Sequence, residues 1–142
     1  MNQTQLSVHE ILTTISGDLR RLPYKYHPNR VEFLKKNESF ELKSVLQGAF
    51  NEKIQFNLPP GNPPPFKKGT PLPFKNSISA FAGLLQEKKS MLREGAFLKI
   101  LGSCTDEEAK ILIAIKDKRL DDLYKGITLE IASAAFPKLF GK

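Results

Sequence analysis

Residues 97–137 read FLKILGSCTDEEAKILIAIKDKRLDDLYKGITLEIASAAFP, and this stretch sets the fold class. It holds the densest apolar patterning in the chain and, up to Phe136, lies within its longest proline-free run, 74–136. Thr105-Asp106-Glu107-Glu108 has the form of a capping box: a hydroxyl that accepts from the amide three residues on, and a glutamate that returns the bond. Three acidic groups then fall in the first helical turn. Lys116, Lys118 and Arg119 fall in the last, which complements both ends of a helix dipole. Between them lies AKILIAI. Its alternating Ile111, Ile113 and Ile115 also suit a buried strand. The cap and the charge polarity favour a helix over 105–118. Adjacent carboxylates at a helix start, with no histidine or second cluster beside them, are a dipole device and not a metal site. Thr128 can cap a last helix ending at Phe136-Pro137, RLDDLYKGIT reads as a loop, and the KLFGK tail is expected to dock.

Upstream, Ser7-Val8-His9-Glu10 is a second capping box. Val8, Ile11, Leu12 and Ile15 follow on one helical face, and Gly17 is a plausible stop. His9 is expected to be a solvated or packing histidine. Short helices are expected from Arg30 to Lys36 and from Ser39 to Gln47, with Gly48 as stop, forming an αα-hairpin with Lys35, Lys36 and Lys43 outward. Asn76 or Ser77 can cap a helix over 77–86. Residues 87–89 form a solvated exit, and a further helix runs from about Ser90 to Gly102.

Between these helical stretches the texture changes. Seven of the ten prolines lie between Pro59 and Pro73, which excludes helix there. Polyproline II segments with turns at Gly61 and Gly69 are the natural state. Ile54, Phe56, Leu58, Phe66, Leu72 and Phe74 are too apolar for a free linker. The run is therefore expected to be an ordered strap docked on helices, in preference to a ligand for a proline-reading groove. The sequence predicts an all-α protein: a small bundle of about six short helices with an ordered, extended, proline-rich strap. One helical domain over 1–142 is expected, made of N-terminal helices (1–48), strap (49–76) and helical core (77–142).

Composition narrows function by exclusion. No apolar run approaches the ~18 residues of a membrane helix. The N-terminus lacks a basic segment followed by an apolar one, so a secretory signal is not expected. A single cysteine, Cys104, excludes an intrachain disulfide and suits a reducing compartment. No phosphate loop or metal-ligand spacing is present, no cofactor is expected, and Cys104 and His27 have no partner constellation. A non-enzymatic protein is expected. Beyond its capping Thr128, the 127–136 helix carries only Glu130 and Ser133 as polar side chains, which argues against a major-groove reading helix.

The net charge of +7 is uneven: −2 over residues 1–18, +7 over 19–76 and +2 over 77–142. A cationic half of this kind favours polyanions through counterion release. Arg20, Arg21, Lys25 and Arg30 can meet phosphates while Tyr24 and Tyr26 offer stacking faces. Lys35, Lys36, Lys67 and Lys68 extend the candidate surface. The plainer reading of the 18–30 segment is a connecting loop whose tyrosines cover the edge of the core.

Two sets of motifs carry a resemblance. FLKILGSCTDEEAKILIAIKDKRL…YKGIT…AFPKLF and LKKNESFELKSVLQGAFNEKIQFNLPPGNPPPF together span roughly residues 31–66 and 97–140. They are similar to a family of small uncharacterised proteins from T-even-like tailed phages. The TPLPFK run and the N-terminus depart from that pattern. The resemblance implies a phage origin, with presence in the host cytoplasm during infection or in the virion; it says little about activity and carries over no catalytic residues. The expected function is a binding or accessory protein acting on DNA, RNA or a host or phage nucleoprotein machine. The alternative is a minor capsid or neck component whose strap lies on a neighbour.

Overall fold

A computed structural model describes residues 6–17 and 28–141. Among the described residues there are eight α-helices and no strand. They are α1 (Val8–Ser16), α2 (Pro28–Lys36), α3 (Phe40–Phe50), α4 (Phe74–Gly83), α5 (Ser90–Gly102), α6 (Asp106–Lys116), α7 (Leu120–Leu123) and α8 (Leu129–Ala135). Short 3₁₀ turns follow α4 at Leu84–Gln86 and α8 at Pro137–Phe140. The all-α class is as expected. The helix count exceeds about six partly because the expected loop at 119–128 contains the single turn α7.

Both capping boxes form. Ser7 Oγ and Thr105 Oγ1 accept from the Glu10 and Glu108 amides, and each glutamate accepts the amide of its capping residue. Thr128 caps α8 in the simpler one-bond form. AKILIAI is helical because α6 is the central element, packed against α1, α3, α4, α5 and α7. Ile111, Leu112 and Ile115 are fully buried and Ile113 half-buried. A helix enclosed on most sides is apolar most of the way round, which is why its sequence also resembles a strand.

The strap is seated on the helices. Phe56 is buried and stacks on Phe81 of α4 at 4.2 Å between ring centroids, and Phe81 meets Phe97 of α5 at 5.7 Å. Ile54, Leu58, Phe66 and Phe74 pack partly buried on the same core. Leu72 departs from expectation and stays 51% exposed. Its anchor is its amide, which donates to Ser103 O at 2.9 Å.

Polar bonds close the strap onto α6. Lys116 Nζ donates to Pro59 O (2.9 Å), Gly61 O (2.7 Å) and Asp117 Oδ1 (2.7 Å). Asp117 Oδ2 accepts the Gly61 amide at 3.1 Å. Lys118 adopts φ 57° and donates to Gly48 O and Asn51 O at the end of α3. The two lysines therefore bind carbonyls of distant segments in addition to complementing their own helix dipole. On the far side, Arg93 donates to Asn57 O from Nε and Nη2, and to Glu87 O from Nη1.

Two local signals resolve differently from expectation. Gly48 does not stop α3, which runs on to Phe50. A Cβ there would lie 3.0 Å from Ile115 Cγ2, so Gly48 is where α3 approaches α6 closely. Helix α4 begins at Phe74 with no side-chain cap. Ser77 is buried, its hydroxyl bonded to that of Ser103 at 3.1 Å, so it does not cap the helix.

Asp117→Ala strips the buried Lys116 ammonium of its counter-charge and the Gly61 amide of its acceptor. Urea unfolding should show a loss of about 2–4 kcal/mol. Asp122→Ala, in an exposed pair with Arg119, should stay within about 0.5 kcal/mol. Equal effects at the two positions would contradict the clasp.

Candidate functional site

Helix α5 ends at Gly102, and its last carbonyls need donors. The strap supplies them: Gly69 N donates to Gly102 O at 2.8 Å, and Leu72 N donates to Ser103 O. A Cβ at Gly102 would sit 2.4 Å from the Lys67 carbonyl oxygen, so glycine allows the strap to cross here. That crossing places Lys67 and Lys68 beside the end of α5. Lys99 lies one turn earlier on α5. Lys75 lies in the first turn of α4, held to the same corner through Ser77 and Ser103.

All four lysines are exposed. Lys68 forms an exposed ion pair with Asp106. Lys67, Lys75 and Lys99 make no ion pair among the described residues. The negative end of the α5 dipole tolerates cations well, and the three carboxylates in the first turn of α6, Asp106, Glu107 and Glu108, offset part of the charge of the four lysines. Lys88 and Lys89 add exposed charge at the opposite end of the antiparallel α4–α5 pair.

The described residues among those singled out from sequence ride on two elements, α2 and the strap. Arg20, Arg21, Tyr24, Lys25 and Tyr26 lie outside the described residues. Arg30, half-buried, and Lys35 and Lys36, exposed, ride on α2, which packs against α8 and α1. Lys67 and Lys68 ride on the strap at α5. The sequence reading missed Lys75, Lys88, Lys89 and Lys99. For Lys99 a signal existed: it precedes Gly102 by three residues, so both lie on one helical face.

The soft chemistry is engaged in packing. Cys104 is buried, its Sγ donates to Ile100 O at 3.3 Å, and burial pushes the thiol pKa up. His9 Nδ1 is hydrogen-bonded to the Tyr124 hydroxyl at 2.7 Å, tying α1 to the segment after α7. The pair separates two open clefts. One, of about 350 Å3, is lined by Leu6, Phe74, Ile111, Glu41, Glu107 and Glu108 among others. The other, of about 330 Å3, includes Thr13, Lys110 and Leu123. No group of side chains able to hold a metal occurs among the described residues, and none of their helices is long and apolar enough to cross a membrane.

Burial first, and then the negative charge of Glu107, raise Tyr124 from 10.0 to about 12. The native hydroxyl therefore stays protonated where the unfolded one ionises. Its contribution is complete below pH 10 and is lost as pH rises toward 12. Tyr124→Phe should be about 1 kcal/mol less stable at neutral pH. In denaturant titrations that deficit should shrink between pH 10 and 12. A deficit independent of pH would show that the hydroxyl is not buried.

Gly102→Ala should force the strap off the α5 end, at a cost of about 1–3 kcal/mol. Amide exchange at Gly69 and Leu72 should accelerate while exchange in α6 changes least. Unchanged protection at both amides would show that the strap does not cross there.

A family model described as a family of unknown function, DUF6433, matches residues 23–122. No curated protein and no solved structure matches the chain. The matched region takes in α2 through α6 and the whole strap, well over half of the 142 residues, so the chain belongs to the DUF6433 family of unknown function.

Proposed function

We propose that the protein is a phage-encoded, non-enzymatic accessory factor that binds nucleic acid, alone or within a host or phage nucleoprotein machine, through its basic surface. The observation that carries this reading is the corner at the end of α5, where strap, α5 and α4 meet and carry Lys67, Lys68, Lys99 and Lys75, all exposed, beside the acidic first turn of α6, with Lys68 alone of the four ion-paired among the described residues. The hydrogen bonds that seat the strap hold the backbone of this corner in place. Such a charge cluster suits phosphate contacts, which position without reading sequence. Helix α8 (LEIASAA) carries no Arg, Lys, Asn or Gln with which to read bases, and the expected binding is general. The phage assignment rests on the resemblance of the 31–66 and 97–140 stretches, and action in the host cytoplasm follows from it. The strap's attachment to its own helices favours this reading over a capsid or neck subunit whose strap lies on a neighbour.

Fluorescence anisotropy with a labelled single strand, a DNA duplex and an RNA tests it. At about 50 mM salt binding should be measurable and should weaken steeply with added salt. The Lys67→Glu/Lys99→Glu pair should weaken binding at least about tenfold and flatten the salt slope by about 2. Lys35→Glu/Lys36→Glu, on the separate α2 group, should do less. No binding to any of the three probes at about 50 mM salt would end the nucleic-acid reading.

A further inference from the structure

A second surface feature lies between the strap and α5. Here an open cleft of about 130 Å3 is walled by Leu58, Pro59, Pro63 and Pro64 on one side and by Gly95 and Leu98 on the other. That volume suits one apolar side chain, since an apolar cavity of ~150 Å3 admits a benzene-sized group. Gly95 opens it. The residue sits inside α5, where glycine is a poor helix former. Its φ is not left-handed, and a Cβ there would meet nothing within 4 Å. No contact within the described structure requires glycine at this position.

The cleft continues into an exposed apolar stripe on α5. Met91 is 84% and Leu92 57% exposed, and with Gly95 they share one helical face. Lysines flank the stripe. Lys88 and Lys89 precede α5 and Lys99 follows Gly95 by one turn. Arg93, bonded to Glu87 O and Asn57 O, fixes the 87–89 link beside the strap. Glu94 is the one carboxylate in the cleft wall. No exposed aromatic ring lines the cleft on which a base could stack, because Phe97 is only 3% exposed.

We propose that this cleft docks an acidic, amphipathic segment of a partner protein, seating one Leu, Met or Phe side chain beside Gly95 while acidic side chains meet Lys88, Lys89 and Lys99. The occupant follows from charge and size: an apolar slot that holds one side chain, with exposed lysines before and after it along α5 and Glu94 as the carboxylate in its wall, is the complement of an acidic segment with one apolar anchor. The chain's own acidic turn, α7, is a poorer fit. Its Asp122 is already paired with Arg119 and Lys125. This inference does not rest on the nucleic-acid reading.

Selection of a random linear peptide library on the purified protein tests it. Recovered peptides should share one Leu, Met or Phe with Asp or Glu within a turn of it. As synthetic peptides they should bind at least about tenfold more weakly to Gly95→Leu, which fills the cleft, and to Lys88→Glu/Lys89→Glu. Circular dichroism should show both variants folded. The second variant lies wholly on the surface, so its result stands even if Gly95→Leu proves unstable. Oligonucleotide affinity should be unchanged in Gly95→Leu, which separates this site from the lysine corner. Recovered peptides without acidic residues, or binding indifferent to both variants, would overturn the proposal. So would sedimentation showing self-association that Gly95→Leu abolishes, which would make the occupant a second copy.

Discussion

The Lys116 ammonium is the constraint on which the strap's position depends. Its side chain is 1% exposed, and a charge so enclosed must be neutralised and hydrogen-bonded. Asp117 supplies the counter-charge, and the Pro59 and Gly61 carbonyls supply acceptors. Those carbonyls belong to a segment whose prolines cannot donate to a ladder and whose backbone oxygens are therefore open to an outside donor. The clasp also binds in reverse, since Asp117 accepts the Gly61 amide. Moving the strap would leave a buried cation short of partners.

Apolar packing and polar closure thus act at different places along one extended segment. Phe56 enters the core between α3 and α4 and stacks on Phe81. Next comes the Lys116 clasp at Pro59–Gly61, and then the amide bonds of Gly69 and Leu72 to the end of α5. The result is a proline-rich stretch held at intervals without secondary structure of its own. Along its length it leaves surface exposed: a small apolar cleft at Leu58–Pro64 and a lysine corner around the Gly69 anchor. Both candidate interfaces exist because the strap lies against α5.

Features that depend on a few neighbouring residues were legible in the sequence. The caps at Ser7, Thr105 and Thr128 form as read, because a hydroxyl three residues from its amide finds it by local geometry. The ban on helix through 59–73 is equally local. Gly48 misled because glycine's role there is close approach to Ile115, a residue 67 positions away. Ser77 misled because its hydroxyl bonds Ser103, just past the end of α5, and does not bond its own helix end. The candidate site was half visible. Lys67 and Lys68 stand out in a basic run, whereas Lys75 and Lys99 join them only through the strap crossing at Gly102.

Residue types and spacing alone established the helical class, the N-terminal caps of α1, α6 and α8, the buried faces of α1 and α6, and an apolar strap that had to dock. Folding in three dimensions settled where it docks and which lysines share a surface. Capping and periodicity are satisfied within a few residues of chain. The partners of Lys116, Lys118 and Gly102 are far away in sequence, and a side chain carries no local mark of a partner that distant.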